Sequence, residues 1–207
     1  EQRTTPFPHT MVRHRGAQRL SLRVAPSGVR LTVPPRTPAA QIEAFLRASE
    51  DWVEAQRGHL PPPPPPLVDG DRVAYLDDRL DLVVRADGAA RTRARRSGAA
   101  LLVTGPPGGD VDAAVEAWYR REAQALLDER SRALAGRMGA HVAGVTVRDP
   151  RSRWGSCSAR GRLSYSWRLL LAPERVLDHV VAHEVCHLLR RDHSPAFWAL
   201  VYDVDPG

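Results

Sequence analysis

The chain has 207 residues, 43% of them apolar, with 30 basic residues against 24 acidic ones and two cysteines. That length suits one real core with a small appendage. A mean hydropathy of −0.37, with no apolar run near the ~18–20 residues of a membrane span, argues against a membrane protein and against a collagen-like or wholly disordered chain. Cys157 and Cys186 stand alone rather than in a CxxC pair, which excludes a disulfide scaffold and a four-cysteine zinc site.

Net charge is +6 and every basic residue is arginine. Biased codon usage accounts for part of that, so the pI of 10.3 is a weak argument for a polyanionic partner. Distribution says more. Residues 148–168 hold six Arg against one Asp, and residues 85–96 hold five against one.

Residues 1–16 are polar and read as loose. Leu20, Leu22 and Val24, a Pro26-Ser27-Gly28 turn, then Val29, Leu31 and Val33 predict a β-hairpin. Thr37-Pro38 opens a helix carrying Ile42, Phe45, Leu46, Trp52 and Val53, ended by Gly58. Pro61 to Pro66 reads as a stiff spacer, the alternative being a docking site for a proline-binding module. The expected division is therefore an N-terminal hairpin and helix region, 1–66, packed on a catalytic region, 67–207, whose core is 110–207.

Residues 72–76 and 79–85 predict a second hairpin around Asp77-Asp78, and 100–104 a further strand. The arginines of 91–96 are expected on an exposed connection. A long helix from Asp110 to about Arg137 presents Val111, Val115, Trp118, Tyr119, Ala125, Leu126 and Leu134 mainly on one side and stops at Gly139. Val145–Val147 and Leu163–Trp167 read as strands. Pro173 opens a helix to about Arg190, and Ser194-Pro195 opens the last one.

The chemistry concentrates in His183-Glu184-Val185-Cys186-His187, followed by His193. Residues four apart on a helix lie one turn apart on one face, so His183 and His187 aim at a common point, as a zinc ion requires. Glu184 is rotated about 100° away. It reaches the water on the metal's open position and serves as general base. His193 is the best candidate for a third ligand, because the chain must turn at Ser194-Pro195. The competing reading, a surface helix with two stacked histidines, is opposed by apolar Leu177, Val180, Val181, Val185 and Leu188 around them.

His179, one turn before His183, is either a supporting group or a surface residue. Asp178 and Asp192 could each accept the other N–H of a ligand histidine, or be solvated charges. Cys186 reads as a core residue, and Cys157 as a packed small residue rather than a reactive thiol. In Trp154-Gly155-Ser156-Cys157, Trp and Gly in a strand suggest a packed ring and a close backbone approach.

Arg153-Trp-Gly-Ser-Cys157, Ser166-Trp-Arg-Leu169, Leu177-Asp-His-Val-Val-Ala-His-Glu184 and His193-Ser-Pro-Ala-Phe-Trp198 together resemble the YgjP-like metal-dependent hydrolases, a family grouped with WLM and SprT-like zinc metallopeptidases. Upstream elements from Arg19 onward look like that family too. The resemblance implies one zinc on His183, His187 and His193, with Glu184 as base. It also implies a zincin-like α+β fold, in which a small mixed or antiparallel sheet packs on the active-site helix. Ser166, His179 and Asp77-Asp78 depart from the family pattern, none of them at a ligand.

Four functions compete. A zinc metallopeptidase acting on a peptide or protein ranks first, with Arg153, Trp154, Ser156 and Arg168 as candidate substrate contacts. Second is a metal-dependent nucleoside triphosphate pyrophosphohydrolase, with the 148–168 arginines on phosphates. Third is a nucleic-acid-tethered SprT-like protease, with the 91–96 arginines on the backbone. A purely structural metal ranks last, since such a site has no need of a base. No secretory signal is visible and the cysteines are free, which predicts a cytoplasmic protein without a membrane partner. The chain begins at Glu1 rather than Met, consistent with removal of a preceding piece. Oligomeric state is not legible.

Overall fold

The computed structural model describes residues 5–26, 28–60, 64–150 and 152–205. The chain divides into two compact units, Glu1–Pro65 and Pro66–Gly207. Each has its own apolar cluster. The first three residues of the proline run lie outside the described residues, as does Ser27 of the first turn.

In the first unit, β2 (Ser21–Ala25) and β3 (Gly28–Val33) form the expected hairpin, with Gly28 at φ 113. β1 (His9–Arg13) pairs parallel to β3, where a loose segment was expected. Four of its five residues are exposed, so no alternation of apolar residues betrays it. The single expected helix is two, α1 (Ala39–Ala48) and α2 (Glu50–Gly58). Ser49 leaves helical geometry at φ −103, ψ 1, and its hydroxyl donates to the Phe45 carbonyl at 2.8 Å. Phe7, Leu31, Val33, Ile42, Leu46 and Val53 make the core. Trp52, expected with them, is exposed, because the break at Ser49 resets the helical phase.

The second unit carries a four-stranded sheet of order β4-β5-β7-β6: β4 (Arg72–Tyr75), β5 (Asp78–Ala86), β6 (Arg93–Ser97) and β7 (Ala100–Gly105). The hairpin turns at Leu76-Asp77, one residue before the expected pair, with Leu76 in the left-handed region at φ 55. β6 replaces the expected connection. Only Ala94 in it is buried, and exposed arginines flank it, so its sequence carries no apolar pattern.

Helix α3 (Val111–Arg137) starts at Asp110, whose carboxylate accepts from the Ala113 N–H at 2.9 Å. It ends before Gly139, at φ 66. Trp118, Ala123, Leu127 and Leu134 bury its length in the unit's main core. Beyond it stands a three-stranded mixed sheet of order β8-β10-β9, formed by β8 (Gly144–Arg148), β9 (Gly155–Cys157) and β10 (Arg162–Ser166). Trp167, expected to close β10, instead opens a 3-10 turn, Trp167–Leu171. Helices α4 (Glu174–Cys186) and α5 (Pro195–Val204) follow. The fold is thus α+β, with the small sheet against α4. None of the described helices is long and apolar enough to cross a membrane.

Candidate metal centre

Leu177, Val181 and Val185, one turn apart, are fully buried and fix one face of α4 in the core. Cys186 packs on Phe197 and Val201 of α5, which joins the two helices. The remaining face presents His183, and the turn just beyond the helix presents His187. Their Nε2 atoms stand 3.1 Å apart. α4 ends at Cys186, earlier than the spacing predicts, yet the His187 N–H still donates to the His183 carbonyl at 3.3 Å.

His193 comes from the connection to α5. Asp192 accepts the Ser194 N–H at 3.2 Å, an Asx-type turn that sets the direction of the chain there. The His193 Nε2 lies 3.1 Å from that of His183, and one nitrogen from each of the three rings falls within 4.8 Å of the others.

These residues fit a metal ion. Two tetrahedral ligands at ~2.0–2.1 Å from an ion stand about 3.3 Å apart, close to the two separations here. His187 Nδ1 lies 2.9 Å from the Arg190 carbonyl. A carbonyl only accepts, so Nδ1 carries the proton and Nε2 turns a lone pair toward the shared point. Burial, reinforced by His187 and His193, pushes the His183 imidazole down to about 4 and keeps it neutral. Phe197 stacks on His187 with centroids 4.4 Å apart and meets His183 and His193 edge-on at 5.0 Å. Trp198 closes on His183 from a second direction.

Glu184 is only 6% exposed. Its carboxyl lies so close to β9 that a Cβ on Gly155 would stand 2.6 Å from its Cγ and 2.7 Å from its Oε1. Burial pushes the acid up to about 7, with Arg153 pulling the other way.

β9 is the sheet edge beside this carboxylate. The Trp154 carbonyl accepts from Ser166 N–H, and Ser158 N–H donates to the Arg162 carbonyl, both at 2.9 Å. In an antiparallel ladder such residues alternate with ones whose polar groups turn away. Gly155 and Cys157 therefore point their N–H and C=O groups to the open edge. Their side of the sheet is the core side, shared with Leu163 and Tyr165.

The other sequence candidates disperse. Trp154 is half exposed rather than packed, and Ser156 sits on the outer face opposite Ser164. Arg153 is exposed beside β9. Arg168 is held by Asp149 at 2.7 and 3.1 Å and lies over the Trp167 ring. Asp178, with Glu174, binds Arg130 of α3. His179 faces Asp205 at 2.6 Å. Cys157 is half-buried, and burial, then the charge of Glu184, pushes its thiol up.

Four residues contribute in ways that were not foreseen. The Arg190 carbonyl leaves no trace in a side-chain pattern. Phe197 and Trp198 follow His193 at a spacing that could have marked them as a wall of the site. Gly155 announced a close approach but not its partner.

A family profile for the YgjP-like metallopeptidase domain matches residues 18–207. Comparison with curated proteins and with solved structures gave no match. With nearly the whole chain covered, this protein belongs to the YgjP-like family of metallopeptidase domains, a metal-dependent hydrolase class.

Proposed function

We propose that the chain is a zinc-dependent peptidase with Glu184 as general base. The observation that supports this is the convergence of three imidazole nitrogens beside a buried carboxylate at an open strand edge. His183, His187 and His193 would hold the ion. When bound, zinc supplies Lewis acidity and lowers the pKa of coordinated water toward ~7.

The chain's own residues do the rest. The free N–H and C=O groups of Gly155 and Cys157 bind an extended peptide as an added strand, fixing its backbone beside Glu184. Glu184 takes the proton of the attacking water at its carboxylate and returns it to the leaving amine. Burial raises the Glu184 carboxyl, and a dication nearby would favour the ionised form that accepts the proton. Phe197 and Trp198 hold the imidazoles in place and exclude water from one side.

The test compares wild type with Glu184→Gln for metal content and for turnover of protein, peptide and nucleotide pools. The expected variant keeps about one zinc per chain and loses peptide hydrolysis by ~10²-fold or more. Loss of zinc with activity would make Glu184 a ligand or a structural group. Hydrolysis of nucleoside triphosphates alone would favour the second reading, for which the exposed arginines around β9 are the supporting observation.

A further inference from the structure

The small sheet has two faces. One packs on α3 and α4. The other floors a groove of about 710 Å³, lined by Thr146, Ser156 and Ser164 in the middle and by Arg148, Arg153 and Arg162 around them. Among the described residues no carboxylate forms an ion pair with Arg148, Arg153 or Arg162, although the charge of Arg153 acts on Glu184; Arg120, Arg130, Arg132 and Arg168 elsewhere in this unit are all paired. Asp149, at the groove's end, is occupied by Arg168. The groove is therefore a hydroxyl-lined, electropositive surface that runs directly up to the free edge of β9.

Resting on the peptidase reading, we propose that this groove selects substrates with an acidic side chain close to the cleaved bond. A peptide added to β9 continues the sheet, so its side chains alternate between the two faces. Those on one face turn toward α4 and Glu184. Those on the other turn over the groove, past the hydroxyls of Ser156 in β9 and Ser158 just after it and toward the positive charge of Arg162 on the strand beyond. An Asp or Glu there accepts charge-assisted hydrogen bonds from the Ser156 and Ser158 hydroxyls and is attracted by the guanidinium groups. A basic residue in that place is repelled. Positions one residue away, facing the helix, gain nothing from the same charge. The selectivity thus has a period of two along the substrate. It acts alike on the bound substrate and on the transition state, so it shows in KM rather than kcat.

The experiment uses the full chain and a fluorogenic peptide series built on one neutral parent. Glutamate is placed singly at each of three positions on either side of the cleaved bond. Glutamate at alternate positions is expected to lower KM about tenfold at low salt, with the gain shrinking at 0.5 M NaCl. In Arg162→Gln the acidic-to-neutral ratio of kcat/KM falls toward one. In Arg162→Glu the preference reverses to peptides with arginine at the same positions.

In parallel, fluorescence anisotropy on Glu184→Gln compares labelled acidic and neutral forms of the parent. Cleavage of the neutral parent with no gain from glutamate, or an equal gain in Arg162→Glu, overturns the proposal and leaves the peptidase reading standing. If no peptide is cleaved, the peptidase reading falls. In that case the anisotropy comparison still decides: equal binding of acidic and neutral peptides overturns the groove assignment. Displacement of the acidic peptide by a short single-stranded oligonucleotide at equal charge, with tighter affinity, also overturns it, in favour of a nucleic-acid backbone.

Discussion

Gly155→Ala adds one methyl group at the point where β9 touches Glu184. The backbone there is outside the left-handed region, so alanine brings no conformational strain, and the whole effect is contact. The new Cβ would stand 2.6 Å from Glu184 Cγ, 2.7 Å from Oε1 and 2.9 Å from Cδ. Carbon atoms rest at about 3.5 Å, so something must retreat by roughly 1 Å. Helix α4 is held by fully buried Leu177 and Val185, and its backbone cannot follow. The Glu184 side chain moves instead. Overpacking of this kind costs about 1–3 kcal/mol of stability, and a misplacement of ~1 Å at a reacting group costs about 10²-fold in rate.

The assay is kcat/KM on the best peptide, with thermal unfolding and zinc content measured on the same preparation. The expected result is a loss of about 100-fold in kcat/KM, retained zinc and a modest fall in Tm. Glu184→Asp in the Gly155→Ala background withdraws the carboxyl by one methylene, so the double variant should lose less than the two single losses combined. Wild-type kcat/KM in Gly155→Ala would refute the argument that strand and carboxylate are in contact. Loss of zinc would refute the argument that the methyl displaces Glu184 alone.

Asp192→Ala removes the acceptor for the Ser194 N–H and should weaken zinc binding about tenfold, less than His193→Ala, as titration against a chelator would show. Equal losses in the two variants would mean that Asp192 itself carries the ligation. Cys157 should react slowly with a disulfide reagent at pH 7.5, with a rate still climbing past pH 9, because burial and Glu184 hold its thiol above the ordinary range. Fast labelling at neutral pH would point to an activated thiolate.

Most of the helices and the clustering of the three histidines were legible because each rests on spacing that one segment contains. His183 and His187 are one turn apart, and Ser194-Pro195 marks the chain reversal that carries His193. Strands β1 and β6 were not legible. Both are mostly exposed, so their pairing is set by neighbours such as Val29–Val33 and Ala100–Gly105 rather than by apolar alternation of their own. The break at Ser49 escaped for a related reason. Serine is tolerated within a helix, and only its bond back to Phe45 shows that the chain leaves helical geometry there. The contact of Gly155 with Glu184 joins two segments nearly thirty residues apart, and no local pattern contains it.

The arginine content illustrates the same limit. An all-arginine basic set is a property of the whole chain and says nothing about any one position. Placement separates the cases. Arg120 and Arg132 answer acids one turn away on α3, Arg130 ties α3 to Glu174 and Asp178 of α4, and Arg168 answers Asp149 across nineteen residues. Those four are accounted for by the fold. Arg148 and Arg162 come from β8 and β10, whose register sets them on one face of the mixed sheet, and Arg153, from the lead into β9, lines the same groove. Exposed cations of like sign repel, and the fold gains nothing by collecting them there. A partner that brings negative charge to that face turns the repulsion into attraction, and the face borders the one strand edge beside Glu184.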